Sequence, residues 1–216
     1  MIVGKTITAQ TKVAADYLSI AALKRHLRIE DGNTDHDTYL GEMLPACFDL
    51  VDAYLGFNSR KCTVEYLFND LEISRGGYAG AVVSIGNCLH IPARLISISS
   101  VKYLDANGAE QTMGTADYQA LNTFSANYGF DLEIINAPSS TYDYGWIYKV
   151  TAVEGYEVSG GSDLAKVMPS DIIHAVKLIA GQYWANRMGI IVGTIQTGMD
   201  YNHEWLLAKH AIKEFV

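Results

Sequence analysis

The sequence predicts an α+β fold: a helical bundle built from both chain ends, with an antiparallel β module inserted between them. Three observations carry this. Apolar residues recur at helical spacing up to Leu55, the period changes to two from Lys61, and the helical period returns over Met168–Gly189. The segments implied are 1–60, an N-terminal arm and bundle helices; 61–157, the inserted β module; and 158–216, C-terminal helices of the same bundle. No internal repeat is present.

Residues 1–17 show no clear period and read as an extended arm. Ser19 then caps a short helix from Ile20 to about Arg28, with Ile20, Leu23 and Leu27 on one face and Lys24, Arg25 and Arg28 outside. The polar run Glu30–Asp35 is a loop. A second helix spans about Asp37–Leu55, with Leu40, Leu44, Cys47, Val51 and Tyr54 on one stripe; Pro45 should kink it and Gly56 ends it.

From Lys61, Cys62, Val64, Tyr66 and Phe68 alternate with polar neighbours, the pattern of a half-buried strand. Gly76–Gly80 reads as a hairpin tip. Ala81–Ile85 and Cys88–Ile91 flank Gly86-Asn87, which suits a hairpin turn. In Ile96–Leu104, Ile96 and Ile98 share one parity while Val101 and Tyr103 have the other, so a β-bulge is expected near Ser99-Ser100. Asp105–Gly108 turns the chain into another short strand. Leu132–Ile135 and Trp146–Val153 complete six to eight strands, separated by Tyr-, Ser-, Gly- and Asn-rich loops such as Thr123–Gly129 and Pro138–Gly145.

Val158–Ser162 is a flexible joint leading to the central helix. Pro169 suits that helix's first turn, with Ser170 and Asp171 supplying a cap oxygen and a negative charge. Ile172, Val176, Ile179 and Tyr183 form its stripe, and Ile173, Ala180, Trp184 and Met188 widen it; Arg187 suits the last turn and Gly189 stops it. A helix apolar over so much of its circumference must pack on several neighbours. A last helix starts near His203, with Trp205, Ala208, Ile212 and Phe215 along one side.

Composition narrows the function. Hydrophobic residues make up 49% of the chain, which rules out global disorder, and a net charge of −8 argues against nucleic-acid binding as the main task. The N-terminus lacks the long apolar core of a signal peptide, and Ile190–Val192 is far too short to span a bilayer. A soluble protein made in a cytoplasm is expected. Cys47, Cys62 and Cys88 lack any C-x-x-C spacing and read as small buried apolar thiols.

No catalytic constellation survives inspection. Gly4-Lys5-Thr6 lacks the upstream glycine of a phosphate-binding loop, Gly76–Gly80 is no dinucleotide fingerprint, and neither G-x-S-x-G nor H-E-x-x-H occurs. His210 and Glu214 stand four apart on the last helix, but two ligands without a third read as a surface pair. His174 reads as a flank residue of the central helix. Asp49 and Asp52 lie on the outer face of theirs and show no reason to pair for acid–base work. No metal or cofactor is implied. Fourteen tyrosines, among them Tyr142 and Tyr144, hint collectively at a protein-binding role.

The order of segments resembles the head–tail connector (head-completion adaptor) proteins of tailed bacteriophages, in the branch that carries a β insert. Leu18-Ser19-Ile20-Ala21-Ala22-Leu23-Lys24-Arg25-His26-Leu27-Arg28-Ile29 is similar to that family's opening helix, and the acidic loop and a long helix ending Tyr54-Leu55-Gly56 follow. Ile91-Pro92, Asp105–Gly108 and Asp117-Tyr118 match the insert in order, and Val150–Tyr156 is similar to the strand that closes it. Met168-Pro169 through Tyr183-Trp184-Ala185-Asn186-Arg187 is the best match, whereas Pro45 and Arg75–Gly80 depart from the pattern.

The resemblance implies a structural virion protein: a ring, typically twelvefold, beneath the portal at the capsid vertex, which joins the head to a tail or neck protein. DNA would pass through without being specifically bound, no membrane is involved, and the protein would reside in the virion neck after assembly in the host cytoplasm. It also implies a portal or partner contact in the C-terminal segment, with Trp205, Leu206 and Phe215 as the candidates. Trp205 could equally pack its helix near Trp184. Two other readings stay open: a carbohydrate- or receptor-binding module using the Tyr-rich loops, and, third, a small hydrolase whose site is not visible in sequence.

Overall fold

The computed structural model describes residues 2–69, 72–78, 81–121, 129–138, 147–158, 166–185 and 202–212. The chain forms two compact units. The helical unit is drawn from Lys12–Arg60 and Tyr156–Ala211; the β unit takes Lys61–Gly155 together with the chain start up to Thr11. The architecture is the predicted α+β one, with five helices and two antiparallel sheets among the described residues.

The helical unit contains α1 (Ala14–Tyr17), α2 (Ile20–Leu27), α3 (Asp37–Leu55), α4 (Ser170–Ala185) and α5 (Asn202–Ala208). Ser19 caps α2 as expected: its Oγ accepts from the Ala22 N–H at 3.2 Å. Arg28 closes the helix at φ 58, in the left-handed region. Lys24, expected outside, is buried instead and pairs with Asp37 at the start of α3. A long aliphatic stem lets a lysine lie along the core and still reach a carboxylate at its edge.

Helix α3 has the predicted limits and ends on Gly56 at φ 79, whose N–H bonds back to the Asp52 carbonyl. Leu40, Leu44, Cys47 and Val51 are buried as the stripe requires, joined by Met43, Phe48 and Leu55; Tyr54 is not, and stands 41% exposed. Pro45 lies within the continuous helix. The carbonyl its ring opposes belongs to Gly41.

Helix α4 is the central one, packing against α2, α3 and α5. Ile172, Ala175, Val176, Ile179 and Ala180 are buried, while Tyr183, at the end of the expected stripe, is 39% exposed. Its first intrahelical bond runs from Ile173 N–H to the Pro169 carbonyl, so proline occupies the cap position rather than the first turn. The expected terminators Arg187 and Gly189, with Met188, lie outside the described residues, as do Ser159–Ser162 of the joint and most of both Tyr-rich loops.

The β unit holds two sheets. One has the order β1-β2-β9-β5-β6, from β1 (Ile2–Gln10), β2 (Cys62–Phe68), β5 (Leu95–Leu104), β6 (Glu110–Thr112) and β9 (Tyr148–Glu154). The other has the order β3-β4-β8-β7, from β3 (Glu72–Tyr78), β4 (Ala81–Ile91), β7 (Tyr118–Leu121) and β8 (Phe130–Ile134). In β2 the predicted alternation is complete: Cys62, Val64, Tyr66 and Phe68 are buried and the residues between them are not. The bulge in β5 is present, as a register shift between Ile98 and Ser100 against β9. Asp105–Gly108 turns as expected, with Gly108 at φ 78 and the Asp105 carboxylate accepting from the Asn107 and Ala109 N–H groups.

Two expectations are corrected. Residues 2–10, expected as part of an extended arm with no period, are a strand of the sheet, antiparallel to β2 with Lys5 opposite Tyr66. Gly86-Asn87 is not a turn: β4 runs through it, Asn87 pairs with Ile73, and the chain reverses between Tyr78 and Ala81 at the glycine-rich stretch. Gly-Asn reverses the Asn-Gly order that a type I′ turn favours, and the flanking β-branched residues continue one strand. Gly129 is required as glycine, since at φ +77 a Cβ would lie 2.2 Å from the Ile91 carbonyl oxygen.

Candidate interaction surface

The helical unit carries two features beyond its core: a polar node where α3 ends, and an apolar groove between α3, α4 and α5. The node gives Asp49 and Asp52, expected on the outer face of α3, a shared structural partner in Arg60. Asp52 lies one turn before the end of α3, and its carboxylate accepts from both the N–H and the hydroxyl of Ser59. The Arg60 guanidinium bridges Asp52 at 3.2 Å and Asp49, and stacks over Phe48 at 5.6 Å from the ring centroid. Burial pushes the Asp52 carboxyl above the usual range, against the opposing pull of Ser59 and Arg60. The node fixes the path out of α3. Ser59 in turn accepts the Tyr156 N–H at 2.9 Å, and the Tyr17 hydroxyl donates to the Tyr156 carbonyl at 2.6 Å.

The groove arises because the outer faces of α3 and α4 keep apolar side chains. Leu50 and Tyr54 come from α3, and Ile179, Gln182 and Tyr183 from α4; His203 and Leu207 of α5 close it, around a cavity of about 160 Å³. Leu50, Tyr54 and Tyr183 are 46%, 41% and 39% exposed, so the groove opens to solvent. Helix α5 is tied to the N-terminal end of α4 by Asp171, whose carboxylate meets Lys209 and, at 3.4 Å, His210. The Lys209 contact is the main cause that holds Asp171 below the ordinary carboxylate range. His210 thus pairs with Asp171, while Glu214 lies outside the described residues.

The predicted contact residues separate. Trp205 is 80% exposed, so it does not pack α5 onto Trp184's surroundings; Trp184 instead lies against His36 and Tyr39, at 4.9 and 6.2 Å between ring centroids. Leu206 is half-buried, and Phe215 lies outside the described residues. The stripe Trp205, Ala208, Ile212 is not the buried face of α5. Leu207 is the buried residue of this seven-residue helix, and Ala211, just beyond its end, is buried too. Nothing in the apolar spacing of so short a segment distinguishes the two faces.

The remaining chemistry is sparse. Among the described residues no group of three or more His, Cys, Asp or Glu could hold a metal ion. Cys47, Cys62 and Cys88 are buried thiols not joined in disulfides, and burial pushes the Cys47 thiol up to about 12 and the Cys88 thiol to about 11, far from a reactive thiolate. His174 is exposed and sits edge-on to His26 at 6.3 Å, where burial, Lys177 and His174 together lower the His26 pKa.

No protein-family model matches the chain, and no curated protein matches its sequence. Among solved structures it is similar to a chain in the neck of an empty gene transfer agent (GTA) particle computed with C6 symmetry. That likeness has a TM-score of 0.65 at 19% identity and covers 99% of this chain and 97% of that one. It is also similar to a chain in the virion of a native gene transfer agent particle, with a TM-score of 0.68 at 16% identity over 98% of this chain and 97% of the other. The fold of this chain, through both of its units, is therefore one that occurs in gene transfer agent particles, in one case in the neck.

Proposed function

We propose that the chain is a structural component of a virion neck, a head–tail connector that forms a ring beneath the portal and joins the capsid to the tail. The observation that carries this is the coverage: the likeness to a GTA neck chain runs over 99% of this chain and 97% of the other. The family-like order of motifs in the sequence points the same way. Sixfold symmetry in the related neck is compatible with a ring of twelve as well as of six.

In this reading the partners are the portal protein on one side, a tail or neck protein on the other, and further copies of the chain around the ring. The exposed side of α5 and the chain beyond it, with Trp205, Leu206 and Phe215, supply a partner contact. A net charge of −8 lets DNA pass without being held, because like charge suppresses phosphate contacts. No helix among the described residues is long and apolar enough to cross a membrane, and the neck of a virion assembled in the host cytoplasm requires none. The test is electron microscopy of the purified chain mixed with its portal ring. An added ring of density at the portal's narrow end, of matching symmetry, is the expected result; a chain that stays free and instead binds glycans on an array would overturn it in favour of a binding module.

A further inference from the structure

We propose that Trp205 of one copy inserts into the α3/α4/α5 groove of the next copy, so that the contact between neighbours is head to tail. This rests on the ring reading above and names the occupant of the groove. Four observations lead to it. Trp205 is 80% exposed, more than any other large hydrophobic side chain among the described residues. An indole left in water on a short helix gains most by burial, and tryptophan is the residue most enriched at the energetic centre of interfaces.

The groove is the complementary shape. Its cavity of about 160 Å³ is lined by Leu50, Tyr54 and Tyr183, and an apolar space of about 150 Å³ is known to hold a benzene ring. Gln182 and His203 at its edge offer acceptors for an indole N–H, which needs a partner once buried.

The third observation is direction. His203 and Leu207 both line the groove, and Trp205 stands midway between them, about 200° around a 3.6-residue helix from each. The indole therefore points away from the groove of its own chain. A knob and a hole on opposite sides of one helix are not joined across a shared two-fold axis. They are satisfied in a heterologous contact, which closes into a ring or runs on as a filament.

The fourth is area. One Trp205 supplies on the order of 200 Å², a fraction of the roughly 800 Å² per partner that a stable pair buries. A single contact is thus weak, and a chain in which every copy gives one and receives one gains by closing.

The experiment is sedimentation equilibrium at concentrations up to about 1 mM, on the wild-type chain, Trp205→Ala, Leu50→Glu and an equal mixture of the two variants. Both positions are exposed, and matching far-ultraviolet spectra and melting curves establish that the variants are folded. Wild type is expected to associate beyond dimers, and each variant alone to weaken by about thirtyfold, the effect of removing one hot-spot side chain. The mixture should form dimers and stop, because only one intact knob meets one intact hole. Three results overturn the proposal: wild type monomeric throughout, Trp205→Ala associating as wild type does, or a mixture no larger than its parts. The neck reading fails separately, if wild type does not join the portal ring under the electron microscope. If Trp205→Ala associates normally but no longer joins the portal, the indole faces the portal and the head-to-tail contact is wrong.

Discussion

The two units each draw a carboxylate wholly or partly out of water, and they do so in opposite ways. In the β unit Glu154 is fully buried at the end of β9, and its partners come from far along the chain: the Tyr66 hydroxyl donates to it from β2 and the Lys5 ammonium lies 3.3 Å away from β1. In the helical unit Asp52 is held by Ser59 and Arg60, seven and eight residues on, within the turn it stabilises. Glu154 joins three strands of a sheet; Asp52 shapes one corner. A group whose partners lie on separate strands must lose more when it is removed, because the sheet cannot re-form the contact locally.

The largest effect therefore falls on Glu154→Ala. It leaves the Tyr66 hydroxyl buried without its acceptor and Lys5 without its counter-charge, and should cost about 3–5 kcal/mol by denaturant unfolding. Amide exchange along β1 should accelerate in the same variant, since β1 is exposed along most of its length and has few other side-chain ties. Asp52→Ala should cost less, about 2 kcal/mol, for the stranded Ser59 and Arg60 donors. Asp52→Asn should recover most of that loss, because the raised pKa of Asp52 already marks its charge as poorly solvated and an amide oxygen still accepts from Ser59. If Asp52→Ala proved costlier than Glu154→Ala, the contrast between local and long-range partners would be broken. Asp49→Ala, at a side chain 68% exposed, should change stability by no more than about 0.5 kcal/mol.

The same contrast explains what could be read in the sequence. Limits of α2 and α3, the alternation in β2, the β5 bulge and the Asp105–Gly108 turn follow from short-range pattern and cap chemistry, and the structure has each of them. Strand β1 was not legible because it lies at a sheet edge, exposed at nearly every residue, and so has no period to show. The Lys24–Asp37 pair and the Asp49–Arg60–Asp52 node were missed because apolar spacing says nothing of charged side chains that reach across a turn. The surface was half legible. Trp205 stands out as an aromatic on the last helix, but the groove needs three helices brought together, and of its α3 wall, Leu50 and Tyr54 four apart on one face, the predicted stripe takes only Tyr54.

The smallest effect, and the one that separates the units most cleanly, is the response to acid. In the β unit Glu110 is held below the ordinary carboxylate range, chiefly by Lys149 and then Lys102, and Asp105 is held low chiefly by the Ala109 N–H. A depressed pKa stabilises the folded state above the unfolded value, about 4 for a carboxylate, and that contribution is lost as pH falls through the folded value. Both groups therefore act in one direction. In the helical unit Asp171 acts likewise, but Asp52 has a raised pKa, so its contribution is present at low pH and lost as pH rises through its folded value. The two oppose each other. Between pH 5 and 3, values chosen to bracket the carboxylate range of about 4, amide protection in β5, β6 and β9 should fall more steeply than in α3 and α4. Glu110→Gln should flatten the β-unit response and leave the helical unit's unchanged, while Asp52→Asn should leave the helical unit with the one-signed acid loss that Asp171 alone confers. Equal slopes in the two units, measured by residue-resolved hydrogen exchange, would mean that the opposing sign of Asp52 has no weight in the balance and that the burial of its carboxylate is relieved by its partners.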